Sequence, residues 1–278
     1  MRWTPGGSDS DIEDRRGSSG IGLGGAPMGI GGAILLLVLS LLFHRNFFAL
    51  LGSGGSDTAS QPAASQPVQE SPQEHQEVEF VKFVLNDVQG TWESTIPNYH
   101  HAHLVLFRDG IDSACGMAQT AAGPFYCPED EKVYLDLAFF DELQQRFHAS
   151  GDFAQAYVIA HEIGHHVQKI LGIEPKVHRL MEADPRNAKA YSVRLELQAD
   201  CFAGIWAHST QQRNILEQGD VEEGLNAASA VGDDRIQRME GRRVNPETFT
   251  HGSAQERSSW FRRGYESGGV ESCNTFQP

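Results

Sequence analysis

Positive charge is in short supply in this chain: 22 Lys and Arg stand against 37 Asp and Glu, a formal net charge of −15. That deficit excludes nucleic acid as a partner and tight docking on anionic lipid, since both need a basic face. Cysteine is sparse as well, with four in 278 residues and no Cys-x-x-Cys pair, so cysteine zinc ligands are disfavoured. No internal repeat is present. Long apolar runs are missing except for one. From Ile21 to Phe43 there are 23 residues without a formal charge, ending in Ile34 to Phe43, enough to cross a hydrocarbon core of about 30 Å. The span can also be placed further on, from Met28 to Leu51.

Arg15 and Arg16 precede that run and Arg45 follows it, a bias that favours a cytoplasmic N-terminus. The chain then divides into a cytoplasmic tail (1–20), a transmembrane segment (21–51), a Gly-, Ser-, Ala-, Gln- and Pro-rich flexible linker (52–77) and one domain (78–278). This predicts a single-pass protein of the cell membrane with its domain on the extracytoplasmic side. A cleaved signal peptide is the runner-up; Gly52 to Gly55 make no Ala-x-Ala site for it. All four cysteines fall in the domain, and an even count suits disulfides in an oxidising compartment. Of three pairings, Cys115–Cys127 closes a short loop and Cys201–Cys273 ties a helix to the C-terminus; these are the favoured two.

The domain carries His161-Glu162-Ile163-Gly164-His165. On a helix the two histidines stack one turn apart on one face and can share a Zn²⁺ ion, with Glu162 beside it as a proton acceptor. The flanks predict that helix. Phe153, Tyr157, Ala160, Gly164, Val167 and Leu171 draw an apolar stripe at spacings of three and four. Asp152 is the expected N-cap, Gly172 the stop, and Pro175 a bar to resumption. Gly164, between the ligands, suggests close approach of another backbone. An amphipathic core helix with incidental histidines is the bland alternative, and the coincidence of two His, one Glu and sound flanks disfavours it.

Two histidines do not complete a zinc site. A third His six residues after the second, with Gly between, serves some endopeptidases, but Leu171 and Gln168 stand there. Glu196 and Asp200 lie one turn apart in a helical stretch, 188–207. Glu196 can be the third ligand while Asp200 accepts a hydrogen bond from a ligand His. His178, Glu182 and Asp184 are weaker candidates, in a stretch read as loop. His166 is turned about 100° from His165 on the helix, so it faces away from the ion. His100, His101 and His103 flank an apolar strand and are read as structural or surface residues. Lys132 to Leu137 alternate as a strand.

His-Glu-x-x-His followed by Glu-x-x-x-Asp resembles the gluzincins, including thermolysin and the CAAX-prenyl endopeptidases. The closer resemblance is to the bacterial putative neutral zinc metallopeptidase family. It rests on Gly123 to Pro128, Val133 to Asp136, Ala156 to Gln168, Glu196 to Gly204, Gly232 to Asp234, Thr250 to Ser253, Arg257, Trp260 and Phe261. It implies an α+β, zincin-like domain that hydrolyses peptide bonds in a peptide or protein substrate. The implied roles are zinc on His161, His165 and Glu196, with Glu162 as general base. Thr250-His251-Gly252-Ser253 is similar to a Thr-His-Pro-Ser segment whose His is taken to steady the oxyanion, with Gly252 in place of Pro. Arg257 is expected to position that segment or to pair with Asp233 or Asp234. The resemblance also makes strand 132–137 the candidate edge that pairs with extended substrate. Two other functions stay open: a zinc-binding envelope protein without proteolysis, and a hydrolase of a non-peptide amide.

Overall fold

The computed structural model describes residues 1–17, 68, 70–119 and 123–277. The expected membrane segment, 21–51, lies outside them, as does most of the expected linker. Among the described residues no helix is long and apolar enough to cross a membrane.

A small sheet is packed against a larger set of helices, the mixed helical and strand architecture that the α+β expectation asks for. Its strands are β1 (Ile12–Asp14), β2 (His103–Phe107), β5 (Phe125–Cys127) and β6 (Lys132–Asp136), in the order β1-β2-β6-β5. β1, β2 and β6 run parallel, and β5 is antiparallel to β6. One face of the sheet, with Leu104, Leu106, Val133 and Leu135, enters the main helical core. The other, with Val105, Phe107, Tyr134 and Cys127, is covered by the hairpin of β3 (Gly110–Ser113) and β4 (Gly116–Gln119) through Ala118. β2 is therefore apolar without alternation, as a strand buried on both faces must be. The Cys115–Cys127 disulfide staples that hairpin to β5.

Helix α1 (Pro72–Thr95) starts at Ser71, whose hydroxyl accepts from the Glu74 amide, and has Pro72 in its first turn. Val78, Val81, Leu85, Val88 and Trp92 form its buried stripe. Residues 72–77, expected in the linker, thus belong to a helix. Helix α2 (Ala138–Gln145) follows the sheet and leads to α3 (Asp152–Ile170), the central helix, which is buried almost all round. Its N-cap is Gly151 at φ 113°, not Asp152, which sits one position inside, an acidic residue in the first turn where the helix dipole favours it. Gly172 is left-handed at φ 68° and ends the helix as expected. Pro175 does not prevent resumption: α4 (Ile173–Ala183) begins at once in a new direction. Pro175 falls in its first turn, where no intrahelical N–H is needed. His178 and Glu182 are therefore helical.

Helix α5 (Ala188–Gln212) crosses α3, and a Cβ on Gly164 would lie 3.0 Å from the Ala199 carbonyl oxygen. The glycine between the histidines does admit a second backbone. Helices α6 (Asp220–Ala230), α7 (Asp233–Met239) and α8 (Ala254–Ser267) complete the core. Ser253 and Glu256 form a capping box at the start of α8. A Cβ on Gly264 would collide with the Cys201 carbonyl and one on Gly204 with the Phe261 carbonyl, so α5 and α8 touch backbone to backbone. The Cys201–Cys273 disulfide closes this contact at the C-terminus. Both bridges pair the cysteines as favoured.

The N-terminal segment differs most from expectation. Residues 1–17 are packed on the domain rather than set apart from it. β1 joins β2, Trp3 packs edge-on against Phe80 at 5.3 Å, and Arg16 bridges Asp14, Glu70 and Glu74. The Met1 amine donates to Asp152 at 2.7 Å, the first residue of α3. A single crossing within 21–51 would put β1 and β2 on opposite sides of a membrane, whereas their pairing in one sheet needs both on the same side.

Candidate metal centre

Helix α3 presents His161 and His165 one turn apart, and α5 lays Glu196 across them. Nε2 of His161 is 3.2 Å from Glu196 Oε2, and Nε2 of His165 is 3.6 Å from Oε1. One ligand atom from each of the three residues lies within 4.8 Å of the others, a donor set of two imidazoles and a carboxylate that fits zinc. A second acidic group, Asp152, Asp220 and Glu223, is as close-knit. Its carboxylates already face the Met1 amine and the Phe153 amide, so it reads as an anchor for the start of α3.

Each imidazole is held from behind. Asp200, fully buried, accepts from His161 Nδ1 at 2.9 Å. A carboxylate can only accept, so Nδ1 carries a proton toward Asp200; Nε2, which faces Glu196, is the nitrogen whose proton a metal would displace. Asp200 also accepts from the Tyr157 hydroxyl and from Arg257, whose Nε and Nη2 lie 2.8 and 2.9 Å away. Arg257 is therefore paired with Asp200, not with Asp233 or Asp234 as expected. Its chain neighbours in sequence concealed this, because the pairing spans 57 residues. His165 Nδ1 meets a different partner, the Gln168 side-chain oxygen, at 2.9 Å.

Burial sets the electrostatics. It would lower the His161 imidazole, but the charge and hydrogen bonds of Asp200 and Glu196 prevail and raise it to about 10. Burial lowers His165 on balance, despite the pull of Glu196. Burial raises Glu196, yet the two histidines outweigh it and hold the carboxyl well below the usual range. Glu162, pushed up mainly by burial, reaches about 7 against the opposing pull of His161. A carboxylate so placed is matched to proton transfer near neutrality.

Glu162 and His251 line one groove of about 790 Å³ with the three candidate ligands. His251 stands at its rim, half exposed, with Nδ1 3.3 Å from Asp233. The Asp233 carboxylate also accepts from the amides of Thr250, His251 and Gly252 at 2.7, 2.7 and 3.0 Å, which fixes the turn despite Gly252 at φ 94°. Gly123 to Tyr126, which lead into β5, also line the groove. β6, the expected edge, is hydrogen-bonded to β2 and β5 on both sides, so it has no free edge to offer. β5 is the outer strand beside the groove. His166 holds it there. Its Nδ1 accepts from the Tyr126 hydroxyl at 2.9 Å while its Nε2 donates to the His100 carbonyl at 2.8 Å, well away from the candidate ligands. His100 pairs with Glu131, and His101 with Asp11 and Glu93, so neither enters the centre. His178 pairs with Glu174 within α4.

From sequence Tyr157 is placed only in the apolar stripe and Gln168 only as the residue that excludes a third-histidine pattern, while Tyr126 and Gln198 fall within quoted stretches without a role of their own. Two of them left a signal: Tyr157 is one turn before His161 and Gln168 three residues after His165, so both share the helix face of the two histidines.

A helix-borne His-Glu-x-x-His pair with a glutamate from a second helix beside it, backed by a buried aspartate, is a donor set that suits a zinc metallopeptidase. The chain belongs to the family described as "Putative neutral zinc metallopeptidase", whose model matches residues 1–276. It is similar to "Uncharacterized protein YpfJ" of Escherichia coli (strain K12), 46% identical over 286 residues that cover 99% of each chain. It is also similar to "Uncharacterized protein Rv2575" of Mycobacterium tuberculosis (strain ATCC 25618 / H37Rv). That relative is 43% identical over 202 residues, covering 69% of this chain and 68% of the relative. No solved structure matches this chain.

Proposed function

We propose that this protein is a zinc-dependent peptidase with a zincin-like site, acting on extended segments of peptide or protein. The convergence of His161, His165 and Glu196 beside the buried Glu162 carries the reading. Zinc, when bound, supplies Lewis acidity toward a carbonyl and toward water. Glu162 takes the proton from the attacking water and returns it to the leaving amine, a role its raised pKa suits. His251, held by Asp233 and raised chiefly by that hydrogen bond, donates toward the developing oxyanion from the groove rim. The outer edge of β5 pairs with the substrate main chain, which selects an extended backbone before any side chain.

The two disulfides support work in an oxidising compartment. The uncharged run 21–43 supports attachment to the cell membrane.

The test compares wild type with Glu162→Gln, metal content measured for each, on an unbiased peptide library and on envelope extracts. The expected result is equal zinc and a loss of cleavage of about 10³-fold in the variant. Identical fragments from both proteins would remove the peptidase reading. Products that retain every peptide bond would replace it with hydrolysis of a non-peptide amide.

A further inference from the structure

We propose that Gln168 and Gln198 are positioning residues that orient His165 for metal and tie its hold on the ion to the Cys201–Cys273 disulfide. The inference rests on the reading that His161, His165 and Glu196 form the metal site.

The two glutamines are 0% and 4% exposed, so their amides must find partners inside the protein. Gln168 turns its oxygen to His165 Nδ1 at 2.9 Å. Its nitrogen faces the Leu195 carbonyl at 2.7 Å and the Gln198 side-chain oxygen at 3.1 Å. Both are acceptors, so the amide has a single workable orientation: turned over, it would set its oxygen against two oxygens. Gln198 then donates from its own nitrogen to the Cys273 carbonyl at 2.8 Å. The donors run one way, from His165 through Gln168 and Gln198 to a main-chain carbonyl that can only accept. His165 must therefore carry its proton on Nδ1, which leaves Nε2 to face Glu196.

The far end of this relay is fixed covalently. Cys273 is bonded to Cys201 on α5, one turn after Gln198. The segment is further held by the Thr275 hydroxyl, which donates to the Arg194 carbonyl at 2.7 Å. Opening the disulfide frees the carbonyl that terminates the relay. Gln198, Gln168 and His165 would each then lose a fixed partner in turn.

The experiment measures zinc affinity by chelator competition and the visible spectrum of the cobalt-loaded protein. It uses wild type, Gln168→Leu, Gln198→Leu, the double variant Cys201→Ser/Cys273→Ser, and Val84→Ala, in the buried stripe of α1, as a control that costs stability outside the relay. Urea unfolding of each metal-free protein runs in parallel. Gln168→Leu is expected to weaken zinc binding roughly 10- to 100-fold and to alter the cobalt bands. Gln198→Leu and the cysteine variant should do so less, and the cysteine change should add nothing in the Gln168→Leu background. Val84→Ala should lose stability with zinc affinity unchanged. If Gln168→Leu does not fold, Gln198→Leu against Val84→Ala decides. Wild-type affinity in the glutamine variants, or affinity that merely follows stability across the series, overturns the relay. Failure of wild type itself to take up one equivalent of metal overturns the site reading instead.

Discussion

The two histidines of the candidate centre sit one turn apart on one helix, yet they are held in opposite ways. His161 leans on a charged partner: Asp200, buried, itself neutralised by the buried guanidinium of Arg257. His165 leans on a neutral one, the Gln168 amide, which hands its hydrogen bonds on to a main-chain carbonyl. The charged side raises its imidazole, and the neutral side leaves His165 lowered by burial. The contrast shows how a fold keeps several ionic groups in one interior. One anion, Asp200, is offset by one cation, and the other anion, Glu196, is left for the metal. A second carboxylate behind His165 would add a charge with nothing opposite it, at a cost of several kcal/mol.

The contrast can be broken most directly at Asp200. Asp200→Ala strips Arg257 of its partner in the interior, with an expected loss of about 3–5 kcal/mol by urea unfolding. Gln168→Leu should cost only about 1–3 kcal/mol, because it strands polar but uncharged groups. Equal losses would mean that charge is not what separates the two sides.

Gly264→Ala tests the scaffold beneath the charged side, since its new Cβ meets the Cys201 carbonyl and α8, which carries Arg257, has to move. The expected cost is about 3 kcal/mol in thermal or urea unfolding; a neutral result would show that α5 and α8 tolerate separation.

The smallest effect is expected at the groove rim. Burial pushes the Asp233 carboxyl up, but the His251 imidazole and the backbone amides it accepts from pull it lower, for a net depression. A depressed carboxyl contributes stability above its ordinary value of 3.8, and that stability is lost as pH falls through the folded value. Metal-free wild type should therefore lose about 1 kcal/mol more than Asp233→Asn between pH 6 and the acid range. Parallel curves for the two proteins would rule out this contribution.

Much of the site was legible because it is local. The His161 to His165 spacing, the Phe153 to Val167 stripe and the stop at Gly172 are properties of one helix read along its length, and Glu196 with Asp200 repeats the same geometry. Gly164 even announced the crossing of α5. What escaped the sequence depends on partners far along the chain. β1 is three residues, Ile12 to Asp14, too short to show a pattern, and only its pairing with β2 makes it a strand. β6 reads as a strand from its alternation, but whether it is an edge depends on β5 arriving beside it. Arg257 looks like any helix cation until α8 sets it against Asp200. Pro175 misled because a proline that blocks one helix is well suited to the first turn of the next.

The centre itself is tested most directly by X-ray absorption at the zinc edge on protein reconstituted with one equivalent of metal, for wild type and Glu196→Ala. The account predicts a first shell of nitrogen and oxygen with the outer-shell scattering of two imidazoles, and the loss of one oxygen ligand or of the metal in the variant. Sulfur ligands, a single imidazole, or a Glu196→Ala spectrum identical to wild type would contradict it.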